Sequence, residues 1–220
     1  MTENPIEIET APDPSACVIW LHGLGADGSD FVPVIPSLGL PSDIAVRFVF
    51  PHAPKIPVTW NGGYVMPAWY DIISVEDENR HADEAGVLKS RESIRQLIKQ
   101  QNDRGIASER IVIAGFSQGG AIAYTVGLTH PERLAGIIAL STYLPAPAVI
   151  ERDWTTYRDI PVFAGHGEQD NVVPYVLGER ARDVAVKHGF PVEWHAYQMA
   201  HSVNLDELAD IGRWLAQRLA

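Results

Sequence analysis

Residues 110–124 run from an apolar, β-branched stretch through the turn Gly115-Phe116-Ser117-Gln118-Gly119 into the small, helix-compatible run Gly120-Ala121-Ile122-Ala123-Tyr124. A chain that passes from strand to helix within five residues folds the helix back against the strand, and the flanking glycines leave room for that approach. The same geometry lifts Ser117 to the apex of the turn in strained backbone conformation.

Apolar runs and helical stretches alternate along the rest of the chain, which argues for a parallel sheet covered on both faces. Strands are expected at 6–9 (a short edge strand), 16–21, 44–50 (stopped by Pro51), 110–114, 134–140, 161–165 and 191–197. Helices are expected at 83–103, from the serine turn to about 129, at 174–188 (closed by Gly189) and at 205–219. Ser29 predicts the cap of a helix to about residue 38, kept short by Pro33 and Pro36. Residues 51–82 hold Pro51, Pro54, Pro57, Gly62, Gly63 and Pro67 with Trp60, Tyr64, Trp69 and Tyr70, and read as an irregular excursion, as does 142–159. The expectation is α/β class: one domain over 1–220, a mostly parallel central sheet with helices on both faces, and no large cap.

Charge excludes some partners. Lys and Arg number 17 against 28 Asp and Glu, a formal net charge of −11. Such a surface repels phosphate backbones and anionic headgroups, so nucleic acid is not an expected partner. No run approaches 18 apolar residues, so no stable membrane insertion is expected. The stretch Met1-Thr2-Glu3-Asn4-Pro5 lacks the basic region and apolar core of a signal peptide, and the expected location is cytoplasmic. Cys17 is the single cysteine and reads as buried strand packing. Glu76-Asp77-Glu78 reads as a solvated loop. No His/Cys/Glu cluster has metal-ligand spacing, so neither metal nor cofactor is expected.

Strand ends on one edge of such a sheet form the ligand site. Ser117 follows the strand at 110–114, Asp170 follows 161–165 within Gly165-His166-Gly167-Glu168-Gln169-Asp170, and His201 follows 191–197 within Gln198-Met199-Ala200-His201-Ser202. The order Ser…Asp…His is that of an α/β-hydrolase. In that reading His201 Nε2 takes the Ser117 proton and Asp170 accepts a hydrogen bond from Nδ1. Turnover then falls in acid, because only neutral imidazole acts as base. Oxyanion donors are expected at the backbone N–H of Gln118, directly after the serine, and of Leu24 in the flexible Gly23-Leu24-Gly25 loop.

Other readings compete. Gly23-Leu24-Gly25-Ala26-Asp27-Gly28 fits the dinucleotide pattern G-x-G-x-x-G, but the second strand ends Phe48-Val49-Phe50-Pro51 without the acid that would hold a ribose. His22 is expected to brace its loop. His166 lies too near Asp170 for a base, and Asp71 precedes the serine.

The motifs Leu21-His22-Gly23-Leu24-Gly25-Ala26-Asp27-Gly28, Gly115-Phe116-Ser117-Gln118-Gly119-Gly120, His166-Gly167-Glu168-Gln169-Asp170 and Met199-Ala200-His201 resemble the phospholipase/carboxylesterase family of small serine esterases, as do Asn61-Gly62-Gly63-Tyr64, Met66-Pro67-Ala68-Trp69-Tyr70-Asp71 and Leu140-Ser141-Thr142-Tyr143. The likeness spans nearly the whole chain and leans toward the bacterial carboxylesterase branch. It implies a capless α/β-hydrolase with Ser117, Asp170 and His201 as triad and Leu24 and Gln118 as oxyanion donors. Ala200 departs from the glycine often found before the family's histidine.

The expected activity is hydrolysis of short- to medium-chain carboxylic esters of small molecules through an acyl-enzyme. The alternatives are an acyl-protein thioesterase or lysophospholipase on the same residues, and a non-catalytic binding module. Leu24, Trp69, Ile72, Ile73, Tyr143, Leu144 and Val173 are the candidates for an apolar acyl site. The absence of an arginine or lysine cluster near the motifs disfavours a highly charged acyl group. Apolar residues of the irregular segments suit either a cleft or a homodimer contact.

Overall fold

The computed structural model describes residues 3–76 and 79–220. Asp77 and Glu78, in the acidic run read as a loop, and Met1 and Thr2 lie outside the described residues. The strands are β1 (Ile6–Glu9), β2 (Ala16–Leu21), β3 (Val46–Phe50), β4 (Lys55–Val58), β5 (Tyr64–Pro67), β6 (Ile72–Glu76), β7 (Asn79–Ala82), β8 (Ile111–Phe116), β9 (Gly136–Leu140), β10 (Val162–Gly167) and β11 (Val192–Tyr197). The helices are α1 (Glu84–Asp103), α2 (Gln118–Gly127), α3 (Pro147–Arg152), α4 (Tyr175–Lys187) and α5 (Leu205–Leu219).

Seven strands form one sheet in the order β1-β3-β2-β8-β9-β10-β11. Every pairing in it is parallel except β1 with β3. The chain adds strands on one side of β2, then crosses back to its other side with β8. The crevice above the carboxyl ends of β2 and β8 is the topological switch where such sheets bind ligands.

The two-residue period of a strand divides the core between the two faces. In β2, Cys17, Ile19 and Leu21 join Val87, Ile94, Leu97 and Ile98 of α1, residues 121–124 of α2, and Leu177, Ala181 and Ala185 of α4. Ala16, Val18 and Trp20 point the other way, to Phe31, Leu38 and the Leu208, Ile211, Trp214 and Leu215 stripe of α5. Cys17 is fully buried, and burial pushes its thiol up to about 12, so it packs as an apolar group.

Proline explains the main departure from the expected helices. Residues Val32–Leu38 form a 3-10 helix: Pro36, inside it, lacks the N–H that an α-helix would bond to Val32 O, whereas Pro33 sits in the first turn, where no such bond is made. Ser29 does not cap it; its hydroxyl and amide both bond Asp27 Oδ1. Asp83, by contrast, caps α1 by accepting from the amides of Ala85 and Gly86. The excursion at 51–82 contains two antiparallel ribbons, β4–β5 and β6–β7, and the segment at 142–159 contains α3.

One buried charge-bearing residue stands out in this core. Glu207, in the first turn of α5, is fully buried, and neither carboxyl oxygen has a hydrogen-bond partner among the described residues. It lies against Gly165, where an added Cβ would overlap its Oε1. Burial, and secondarily Asp210, pushes its carboxyl up from 4.5 to about 8. The folded chain therefore keeps a proton that the unfolded chain releases. This contribution to stability is fully present below about 4.5 and is lost as pH rises through about 8, at about 1.4 kcal/mol per unit within that window. Glu207→Gln, which has no proton to lose, is expected to show a smaller decline between the two ends of the window, by a few kcal/mol. Urea unfolding at both pH values checks this, and an equal decline in the two proteins would refute it.

Candidate active site

The serine turn has the strained geometry that the sequence predicts. Ser117 has φ 54° and ψ −121°, a left-handed φ that L-residues avoid. Packing holds it there. A Cβ on Gly115 would overlap the backbone of Gly119, and one on Gly119 would overlap the Leu21 and His22 carbonyls, so strand, turn and helix touch through bare backbone. Hydrogen bonds tie the turn to the end of β9: Ser117 N–H donates to Leu140 O at 2.8 Å, and Thr142 Oγ1 donates to Ser117 O at 2.6 Å.

Three chain-distant side chains converge above β8, β10 and β11. Ser117 Oγ lies 3.0 Å from His201 Nε2, and His201 Nδ1 lies 2.7 Å from Asp170 Oδ2. Asp170 Oδ1 accepts from the amides of Val172 and Val173 at 2.9 and 2.8 Å. Burial alone would raise the Asp170 carboxyl, but the His201 hydrogen bond and those two amides hold it below the usual range, so it is a carboxylate. With Asp170 ionised, Nδ1 carries the hydrogen and Nε2 presents a lone pair to the serine. The Phe116 ring lies 4.7 Å from the His201 ring and packs on it.

The remaining titratable groups at these strand ends support loops. His22 is buried, and burial lowers its pKa, so its ring is neutral. Its Nε2 accepts from Ala53 N–H at 3.1 Å, which makes Nδ1 the donor to Gly23 O at 2.7 Å. His166 is likewise buried with a lowered pKa; its Nε2 contacts Val173 O at 2.9 Å and lies 3.5 Å from Asp170 Oδ2, behind the acid. Asp71 accepts from Thr59 N–H and Oγ1 and orders its own loop. The Gly23–Gly28 loop leads into the proline-broken 3-10 segment, so it offers no α-helix N-terminus for a pyrophosphate.

A cavity of about 310 Å³ opens on Ser117 and His201. Three of the seven candidates for an apolar acyl site, Leu24, Ile72 and Tyr143, line it, and so does Gln118. Four anticipated lining residues do not. Trp69 is buried and engages His22 and Gln118 through its N–H groups. Val173 is buried beneath the Asp170 loop, Ile73 alternates to the exposed face of β6, and Leu144 lines a neighbouring groove of about 650 Å³. Sequence proximity to a motif does not say which face of a ribbon a side chain takes.

Arg80, Asp30 and Val172 also line the cavity and were not singled out by the sequence. Among the described residues Arg80 is a single cation at the cavity rather than a cluster. It arrives from β7, donates to Val172 O, lies 5.2 Å over the Tyr143 ring, and is shared by the cavity and the groove. Its sequence signal was a lone arginine in a stretch read as irregular. Among the described residues no group of three or more His, Cys, Asp or Glu could hold a metal ion, and no helix is long and apolar enough to cross a membrane.

A mostly parallel sheet flanked by helices, with a strained serine turn after its central strand, makes this an α/β-hydrolase. The chain belongs to the phospholipase/carboxylesterase family, whose sequence model matches residues 4–219. Acyl-protein thioesterase 1 of Mycosarcoma maydis is 43% identical over 217 residues, covering 92% of this chain and 90% of that protein. Acyl-protein thioesterase 1 of Saccharomyces cerevisiae is 37% identical over 212 residues, covering 92% of each. The crystal structure of SOBER1 from Arabidopsis thaliana superposes with a TM-score of 0.87 at 30% identity, over 93% of this chain and 99% of that one. The chain is thus a hydrolase of ester or thioester bonds.

Proposed function

We propose that this hydrolase cleaves acyl thioesters and short- to medium-chain carboxylic esters by two-step acyl transfer at Ser117. The relay of 3.0 and 2.7 Å from Ser117 through His201 to Asp170, on the floor of a largely apolar cavity, carries the reading. The thioester half is favoured by the relatives named acyl-protein thioesterase.

Ser117 Oγ bonds to the acyl carbon while its proton passes to His201 Nε2, and the carbonyl electron pair moves onto oxygen. The N–H groups of Leu24 and Gln118 receive that oxyanion. As the carbonyl re-forms, the bond to the alcohol or thiol breaks and His201 returns the proton to the leaving group. Water then repeats the sequence on the acyl-enzyme, releasing the acid and free Ser117. Gln118 is the first residue of α2, so its N–H has no acceptor within the helix. Leu24 N–H takes part in no backbone hydrogen bond among the described residues. Ile72, Tyr143 and Leu24 supply apolar surface for the acyl chain.

The test is a matched series of aryl esters and thioesters with acyl chains from acetyl to palmitoyl. Specificity kcat/KM is expected to rise up to about fourfold per methylene, the value of one buried CH2, until the cavity is filled, and then to fall. Thioesters are expected to follow the same profile as esters, because the acyl-enzyme is common to both. No dependence on chain length would remove the acyl-site assignment, and no thioester turnover would leave carboxylesterase activity alone.

A further inference from the structure

We propose that Trp69 is a positioning residue for the oxyanion site, joining the two loops that carry its amides. This rests on Leu24 and Gln118 as the donors of the proposed function.

The Leu24 N–H belongs to the same planar peptide as the Gly23 carbonyl, so whatever fixes one aims the other. His22 Nδ1 holds the Gly23 carbonyl at 2.7 Å. The preceding carbonyl, His22 O, accepts from the Trp69 indole Nε1–H at 2.8 Å. Successive peptides of the loop are therefore held from two directions. The Trp69 ring also lies 5.2 Å from the His22 ring.

The main chain of the same tryptophan reaches the second donor. Trp69 N–H donates to Gln118 Oε1 at 2.8 Å, and Gln118 Nε2 donates to Tyr70 O at 2.8 Å. The Gln118 carboxamide is thus clamped at both ends by consecutive residues. Ser90 Oγ of α1 donates to Trp69 O and anchors this segment to the helical layer. His22, Trp69 and Gln118 are each only 2% exposed, so none of these bonds competes with water. Gly25 N–H donates to Pro67 O at 2.9 Å, a further link from the same segment to the Leu24 loop. An oxyanion site accelerates turnover only if its donors are aimed before the charge appears, and a rigid bridge between the two loops supplies that aim.

Trp69→Phe keeps most of the ring and removes the indole N–H. It is expected to lower kcat about tenfold, part of the cost of losing a whole donor, with KM within about twofold. A trifluoromethyl ketone reports on the oxyanion directly. Ser117 Oγ adds to its carbonyl carbon, the hydroxyl proton passes to His201, and the former carbonyl oxygen becomes the anion. Its affinity is expected to fall by the same factor as kcat, while the pH dependence of kcat is unchanged. Gln118→Ala, which breaks the clamp from the other side and leaves the backbone amide, is expected to act likewise and serves if Trp69→Phe does not fold. Trp214→Phe is the control: this buried tryptophan packs against α5's face of the sheet, its indole N–H has no partner among the described residues, and only stability is expected to change. Wild-type kcat and ketone affinity in folded Trp69→Phe and Gln118→Ala, or a change in KM alone, would overturn the proposal. Equal ketone affinity for the wild type and Ser117→Ala would instead end the underlying assignment of Ser117.

Discussion

Ser117→Ala is expected to lower ester and thioester turnover by roughly 10⁴–10⁶ and to leave the fold intact. The hydroxyl makes its hydrogen bond to His201 Nε2, while the turn is held by backbone: Ser117 N–H to Leu140 O, Ser117 O to Thr142 Oγ1, and the close contacts of Gly115 and Gly119. Alanine keeps all of these. It also keeps the cavity and the two amides, so the residual rate measures what binding and oxyanion stabilisation supply without a nucleophile. Steady-state kinetics, with thermal melting to verify folding, decide the matter. Turnover within tenfold of wild type would remove Ser117 from the chemistry.

Asp170→Asn is expected to lower kcat by about 10⁴ with little change in shape. The argument comes from the two oxygens of Asp170. Oδ1 accepts from the amides of Val172 and Val173, so an asparagine keeps its carbonyl oxygen on that side. Its NH2 then replaces Oδ2 and presents a donor to His201 Nδ1, 2.7 Å away in the wild type. Nδ1 must become the acceptor and the hydrogen moves to Nε2, which can no longer take the proton of Ser117. The ring stays in place in the wrong tautomer. The same fall is expected in the rate at which a fluorophosphonate labels Ser117, because that step also needs the base. Labelling at the wild-type rate, with Ser117 still required, would show that Asp170 does not set the tautomer.

The two experiments test different links of one chain of causes. Ser117→Ala removes the proposed nucleophilic atom, whereas Asp170→Asn keeps the shape of the side chain and exchanges a charged acceptor for a neutral donor beside His201 Nδ1. A third link, the aim of the two amides, is tested through Trp69.

Local signals made several elements legible. The β2 run Ala16–Leu21 and the α5 span Leu205–Leu219 have the bounds that periodicity predicts, because each buries a continuous apolar run or stripe. The excursion at 51–82 was less legible. Prolines and glycines obscure the alternation that marks strands, yet β4–β5 and β6–β7 form because two short antiparallel ribbons satisfy their backbone groups by pairing with each other. The segment read as irregular thus supplies Ile72 and Arg80 to the cavity and Trp69 to the layer beneath it.

The convergence of the three proposed catalytic residues was legible for a simple reason: Ser117, Asp170 and His201 each follow a predicted strand, and parallel strands deliver their carboxyl ends to one edge. Order along the chain is enough to read that edge, and the glycine pattern alone demands the tight serine turn. Which side chains face the cavity, and which lie behind it, was decided by packing. Trp69 and Ile72 are three residues apart, yet one is sealed between His22 and Gln118 and the other lines the cavity, because strand pairing and competition for buried hydrogen-bond partners settle orientation only when distant segments meet.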